Sequence, residues 1–108
     1  MLTEATPWQQ FYPQGARWDA ALPVGPVQAI LERAAAAYAD KPALEFMGRR
    51  LTYRELNALA DRLAAGLQRL GAGPGKHVGL YLPNTPHYVI AFFAALKAGA
   101  TIVNYSPL

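Results

Sequence analysis

From Val27 onward, apolar residues recur at helical spacing: Val27, Ile30, Leu31, Ala34 and Tyr38 fall on one side of a 3.6-residue repeat. Pro26 stands at a favoured helix start, so the pattern predicts a first helix over residues 27–39. The next segment, ALEFMGRRLTY, reads as two short strands joined at Gly48 and Arg49. In Thr52-Tyr53-Arg54-Glu55 the threonine hydroxyl can accept from the Glu55 amide while the Glu55 carboxylate reaches back to the Thr52 amide. This is a capping box, with Leu51 and Leu56 at the staple positions. Leu56, Leu59, Ala60, Leu63, Leu67 and Leu70 continue one apolar stripe, and Gly71 suits a left-handed stop. A second helix over residues 53–70 follows.

The segments VGLYL and TIVNY have the continuous apolar character of strands buried on both faces. Between them Thr85 suits an N-cap, Pro86 the first helical position, Lys97 the negative end of the dipole and Gly99 the stop. Strand, helix and strand in so short a span make a βαβ unit with parallel strands. The fold class expected is α/β: a small three-helix unit with a βαβ parallel pair and a short β-hairpin, occupying residues 27–108. Residues 1–26 have no such period. Four prolines, Pro7, Pro13, Pro23 and Pro26, interleave with Trp8, Phe11, Tyr12 and Trp18, which predicts an irregular arm pinned by aromatic anchors.

Composition narrows the function classes. The chain of 108 residues is 53% hydrophobic, and most of that content is expected inside. The absence of cysteine removes disulfide, thiolate-metal and thiol-nucleophile chemistry and suits a reducing, cytoplasmic setting. No basic start leads into an apolar run, so neither a secretory signal nor a transit peptide is expected. The longest apolar stretch, Tyr88 to Leu96, is interrupted by Lys97, far short of the roughly 20 residues that a membrane span needs. Net charge is +3, and no acidic residue follows Asp61. The later basic residues, Arg62, Arg69, Lys76 and Lys97, are at least seven positions apart, which is not the cluster that nucleic acid requires.

Candidate chemistry is sparse. GAGPGK has Leu70 where a phosphate loop needs glycine and His77 where it needs Ser or Thr, and it closes a helix instead of opening one. It reads as a helix-to-strand turn. His77 and His87 lack acidic partners for a relay or metal site, and Ser106, the only serine, lacks a nucleophile elbow. Arg49 and Arg50 read as a solvated turn, and Phe92 and Phe93 as core. One constellation has more content: parallel strands bring LPNTPH and NYSP to the same carboxyl edge, where open α/β sheets bind ligands. Asn84, Thr85, His87, Asn104 and Ser106 are the candidate ligand-edge residues; turn chemistry alone would also account for them.

LTYRELN, LAAGLQRLG and VGLYLPNTPHYVIAFFAALKAGATIVNYSPL, in that order, resemble the start of the adenylate-forming acyl-CoA synthetases, the AMP-binding enzymes. PWQQFYPQG and VNYSPL look most like the long-chain fatty-acid CoA ligase branch. The resemblance implies activation of a fatty acid with ATP to an acyl-adenylate, then thioester formation with coenzyme A, assisted by magnesium. In that family the phosphate loop, the ribose-binding acidic residue, the hinge and the C-terminal lysine lie beyond the matched segment. The resemblance therefore implies the N-terminal part of a longer ligase, with no catalytic, cofactor-binding or metal residue of its own. Its expected partners are the remainder of that ligase and a second copy of itself; a peripheral membrane position stays open for the complete enzyme. A stand-alone interaction module is the alternative. Direct membrane-surface binding is disfavoured by the scattered basic residues, because attachment wants an amphipathic basic face.

Overall fold

The structure, a computed structural model, describes residues 6–108. After a single 3-10 turn at Pro7–Phe11, the elements run α1 (Gln28–Ala37), β1 (Pro42–Phe46), β2 (Arg49–Thr52), α2 (Tyr53–Arg69), β3 (His77–Tyr81), α3 (Pro86–Lys97) and β4 (Thr101–Tyr105). This is the expected α/β unit: three helices, an antiparallel hairpin β1-β2 and a parallel pair β3-β4.

Local chemistry explains most boundaries. Thr52 caps α2, its Oγ1 accepting from the Glu55 amide at 3.2 Å. Among the described residues the Glu55 carboxylate makes no return bond, so half of the capping box forms. α2 and α3 end alike. Gly71 N donates to Gln68 O and Ala72 N to Leu67 O; Gly99 N donates to Leu96 O and Ala100 N to Ala95 O, each at 3.0 Å. Both are Schellman closures, with glycine in the left-handed region at φ 100° and 89°. The hairpin turn falls one residue earlier than expected, at Met47 and Gly48. Both have positive φ, 49° and 80°, as a two-residue turn of the I′ type requires. Thr85 is the N-cap residue of α3, as expected, but its side chain makes no cap bond: its hydroxyl donates to Pro83 O at 3.3 Å, and its backbone carbonyl takes the Tyr88 amide.

α3 is apolar all round because it is enclosed on several sides, touching α1, α2, β3 and β4. Its Ala94, Ala95 and Ala98 are buried. Leu31, Leu56 and Ala60 form one core cluster with Phe93 against it, and Ala64, Ala94 and Ala98 form a second with Leu67. The α2 stripe is thus narrower than expected. It buries Leu56, Ala60 and Ala64, while Leu63 is 38% and Leu70 86% exposed.

The parallel pair is in register from His77 beside Thr101 to Tyr81 beside Tyr105. Val78, Leu80 and Ile102 face α3 and are partly or fully buried. Strand alternation sends Gly79, Tyr81, Val103 and Tyr105 to the other face. No described element covers it, and Tyr81 and Tyr105 remain exposed there. Burial on both faces is therefore not found: the apolar runs have a helical layer on one side only. The described part of the arm, residues 6–26, likewise is not pinned, and residues 1–5 lie outside the described residues. Trp8, Phe11 and Trp18 stay exposed, the burial expected of the hydrophobic half of the chain is not reached, and among the described residues no side chain larger than alanine is fully enclosed. The radius of gyration is 18.0 Å, against roughly 13 Å for a compact chain of this length.

Candidate functional site

The loops leaving β3 and β4 meet at the carboxyl edge around Tyr88, on the first turn of α3. Its ring stacks on Phe92 one turn later, with centroids 6.2 Å apart, and its hydroxyl donates to Asn104 Oδ1 at 2.6 Å. That bond ties the start of α3 to the end of β4. Asn84, Asn104 and Ser106 join Tyr88 around an open depression of about 490 Å³ floored by Leu82 and Pro83. Ser106 Oγ accepts from the Leu108 amide at 3.3 Å. Thr85 lies outside this depression, in an adjoining groove of about 220 Å³ between α3 and the hairpin, which Asn84 also lines. His87 is exposed and lines neither.

Three of the five sequence-predicted residues therefore come together, a fourth lies next door, and His87 stands apart. The group is made of neutral donors and acceptors. It can orient a polar group, but it holds no nucleophile with a base and no charge to stabilise an anion. Sequence reasoning missed Tyr88. A tyrosine one turn into a helix that follows a strand loop was the available signal, since its long side chain reaches the neighbouring strand end.

GAGPGK behaves as a turn. Lys76 N donates to Gly73 O at 3.0 Å, Lys76 O accepts from Thr101 N at 2.9 Å to open the parallel ladder, and Pro74 packs beside Gly99. It aims no helix N-terminus at a ligand. No group of three or more His, Asp or Glu able to hold a metal ion occurs among the described residues.

A second polar cluster lies on the opposite flank of α3. Lys97 Nζ contacts Asp61 Oδ1 of α2 at 2.7 Å and Glu32 Oε1 of α1 at 3.4 Å, with its side chain only 9% exposed. One ammonium thereby joins all three helices, a structural tie that the dipole reading of Lys97 did not anticipate. No helix among the described residues is long and apolar enough to cross a membrane.

A family model described as AMP-binding enzyme matches residues 31–108. A long-chain-fatty-acid–CoA ligase of Bacillus subtilis (strain 168) is 38% identical over 102 residues, which is 94% of this chain and 18% of that protein. Triostin synthetase I of Streptomyces triostinicus is 44% identical over 75 residues, 69% of this chain and 14% of that protein. The solved N-terminal subdomain of NpsA from Klebsiella oxytoca superposes with a TM-score of 0.73 at 31% identity, over 77% of this chain and 22% of that one. The chain spans less than a fifth of the length of the curated relatives it matches.

Proposed function

Because this chain belongs to the AMP-binding enzyme family, we propose that it forms part of the N-terminal subdomain of a ligase that activates a long-chain fatty acid with ATP and magnesium and passes it to coenzyme A. One observation carries the choice of branch. The similarity to the Bacillus subtilis long-chain ligase runs over 102 residues and so takes in most of the proline- and aromatic-rich arm; two further fatty-acid CoA ligases match over 78 and 80 residues and triostin synthetase I over 75. The reading assigns these residues a scaffolding role: the α3 layer and the parallel pair supply a rigid edge, and the phosphate- and adenylate-handling groups lie in other parts of the enzyme. The neutral cluster of Asn84, Tyr88, Asn104 and Ser106 contributes at most orientation of a polar group at that edge.

Two measurements test it. Calorimetric titration of the chain with ATP and magnesium is expected to give no saturable heat at micromolar concentration, and saturable binding would overturn the scaffolding role. ATP–pyrophosphate exchange on the full reading frame that carries the segment is expected to respond to long-chain fatty acids. A response to amino acids or aryl acids alone would move the protein to the branch represented by triostin synthetase and NpsA.

A further inference from the structure

Among the described residues, the polar fastenings between α1 and the rest of the molecule lie at two places. One is the junction that follows it. Arg54 N donates to Ala39 O at 3.0 Å, Tyr53 N donates to Lys41 O at 3.1 Å, and the Arg54 guanidinium pairs with Asp40 at 3.2 Å, so residues 39–41 are held to the start of α2. The other is Glu32, whose Oε1 meets Lys97 Nζ at 3.4 Å. The rest of α1 holds weakly. Leu31 is its one buried residue, and Val27 and Ile30 beside it are exposed. No side chain caps its start, no acid stands in its first turn and no base in its last. A helix of ten residues is too short to persist in water without packing.

We propose that α1 is a flap, hinged at residues 39–41 and latched by Glu32 on Lys97, which opens as a unit while α2, α3 and both strand pairs stay folded. Lys97 suits the fixed half of a latch. Asp61 of α2 holds it at 2.7 Å with its side chain 9% exposed, so the ammonium stays placed and paired when Glu32 leaves. Opening uncovers the contact of Leu31 with Leu56 and Ala60, and the Phe93 ring packed beside them. That is a limited apolar area, and segments with so few enclosed contacts open below the free energy of global unfolding. The proposal is independent of the ligase reaction above.

Amide hydrogen exchange of the chain, followed residue by residue at low denaturant concentrations, tests it. Amides of α1 are expected to exchange faster than the slowest amides of α2 and α3, and with weaker denaturant dependence because the opening exposes little surface. Exchange of α1 only together with those slowest amides overturns the proposal. Glu32→Gln, at a half-exposed position, should speed α1 exchange about two- to fivefold, the range for such an ion pair, and the gain should shrink in 1 M salt. Unaltered exchange would show that Glu32 latches nothing and overturn it. Ile102→Val trims a side chain between β4 and α3 that the opening leaves in place. It should speed the slowest amides of α2 and α3 about twofold or more and leave α1 as in the wild type; α1 moving with them would place it in the global unit and overturn the flap. The control, Glu45→Gln, removes the same charge from the hairpin pair with Arg50 and should leave α1 exchange unchanged. Equal acceleration by the two glutamate variants would show a diffuse charge effect and overturn the latch. An acceleration that grows with protein concentration would mean exchange of α1 between copies and also overturn the proposal.

Discussion

Leu56 and Leu63 belong to the same helix and the same hydrophobic pattern, yet they differ tenfold in environment: Leu56 is 3% exposed and Leu63 38%. Leu56→Ala is therefore expected to cost about 2–5 kcal/mol, the range for truncating an enclosed leucine. Leu63→Ala should cost under about 1 kcal/mol, because exposed truncations seldom exceed that. Chemical denaturation of the two variants checks the contrast, and equal losses would contradict the observed stripe. Thr52→Ala removes the acceptor of the Glu55 amide and should lower stability by about 1 kcal/mol in the same assay. At Gly99 two demands coincide. Its φ of 89° disfavours any side chain by roughly 1–2 kcal/mol, and a Cβ there would lie 3.2 Å from Pro74 Cδ. Gly99→Ala is expected to lower the thermal midpoint, whereas an alanine at Gly66, within α2 and with nothing close to its Cβ, should raise it slightly.

Among the elements, α3 is the hub, and Lys97 secures it to α1 and α2. Its two carboxylate partners are more than half exposed, so hydration offsets much of what the ion pairs contribute. Lys97→Met, which keeps the aliphatic stem, should cost about 1 kcal/mol or less. Lys97→Ala should cost more through lost packing of that stem. The difference between wild type and Lys97→Met is expected to shrink in 1 M salt, and urea titrations at two ionic strengths measure it. The parallel pair shows a different dependence. Gly79 lies under the Tyr105 ring, where an added Cβ would come within 3.0 Å of Cε2. That ring is free to swing toward solvent, so the bare face is held less firmly than the helix-covered one.

At the scale of the molecule, an exposed sheet face with Tyr81 and Tyr105, two open strands and an arm with exposed aromatics give the chain surfaces that seek partners. Self-association at micromolar concentration is the expected outcome, read by light scattering. Tyr81→Thr with Tyr105→Thr should lower the associated mass if the sheet face carries the contact. A monomeric mass that persists on concentration would contradict the expectation.

The sequence by itself determined much of what is decided within about five residues of chain, although the hairpin turn fell one residue earlier than expected and half of the capping box did not form. The Thr52 cap, the glycine closures of α2 and α3 and the strand-helix-strand order were legible because hydrogen bonds to near neighbours and fixed backbone preferences specify them locally. Family membership was legible for the same reason, in the ordered run of those local motifs. Only the tertiary structure decided which residues meet across long separations. Tyr88 reaches Asn104 over 16 positions, and Lys97 reaches Glu32 over 65. Both depend on how α3 seats against its neighbours, which no local pattern encodes. The same holds for the sheet. Apolar runs in β3 and β4 state that both faces prefer cover, but which face receives it depends on the layers present. In this chain α3 covers one face, and Tyr81, Val103 and Tyr105 lie on the other.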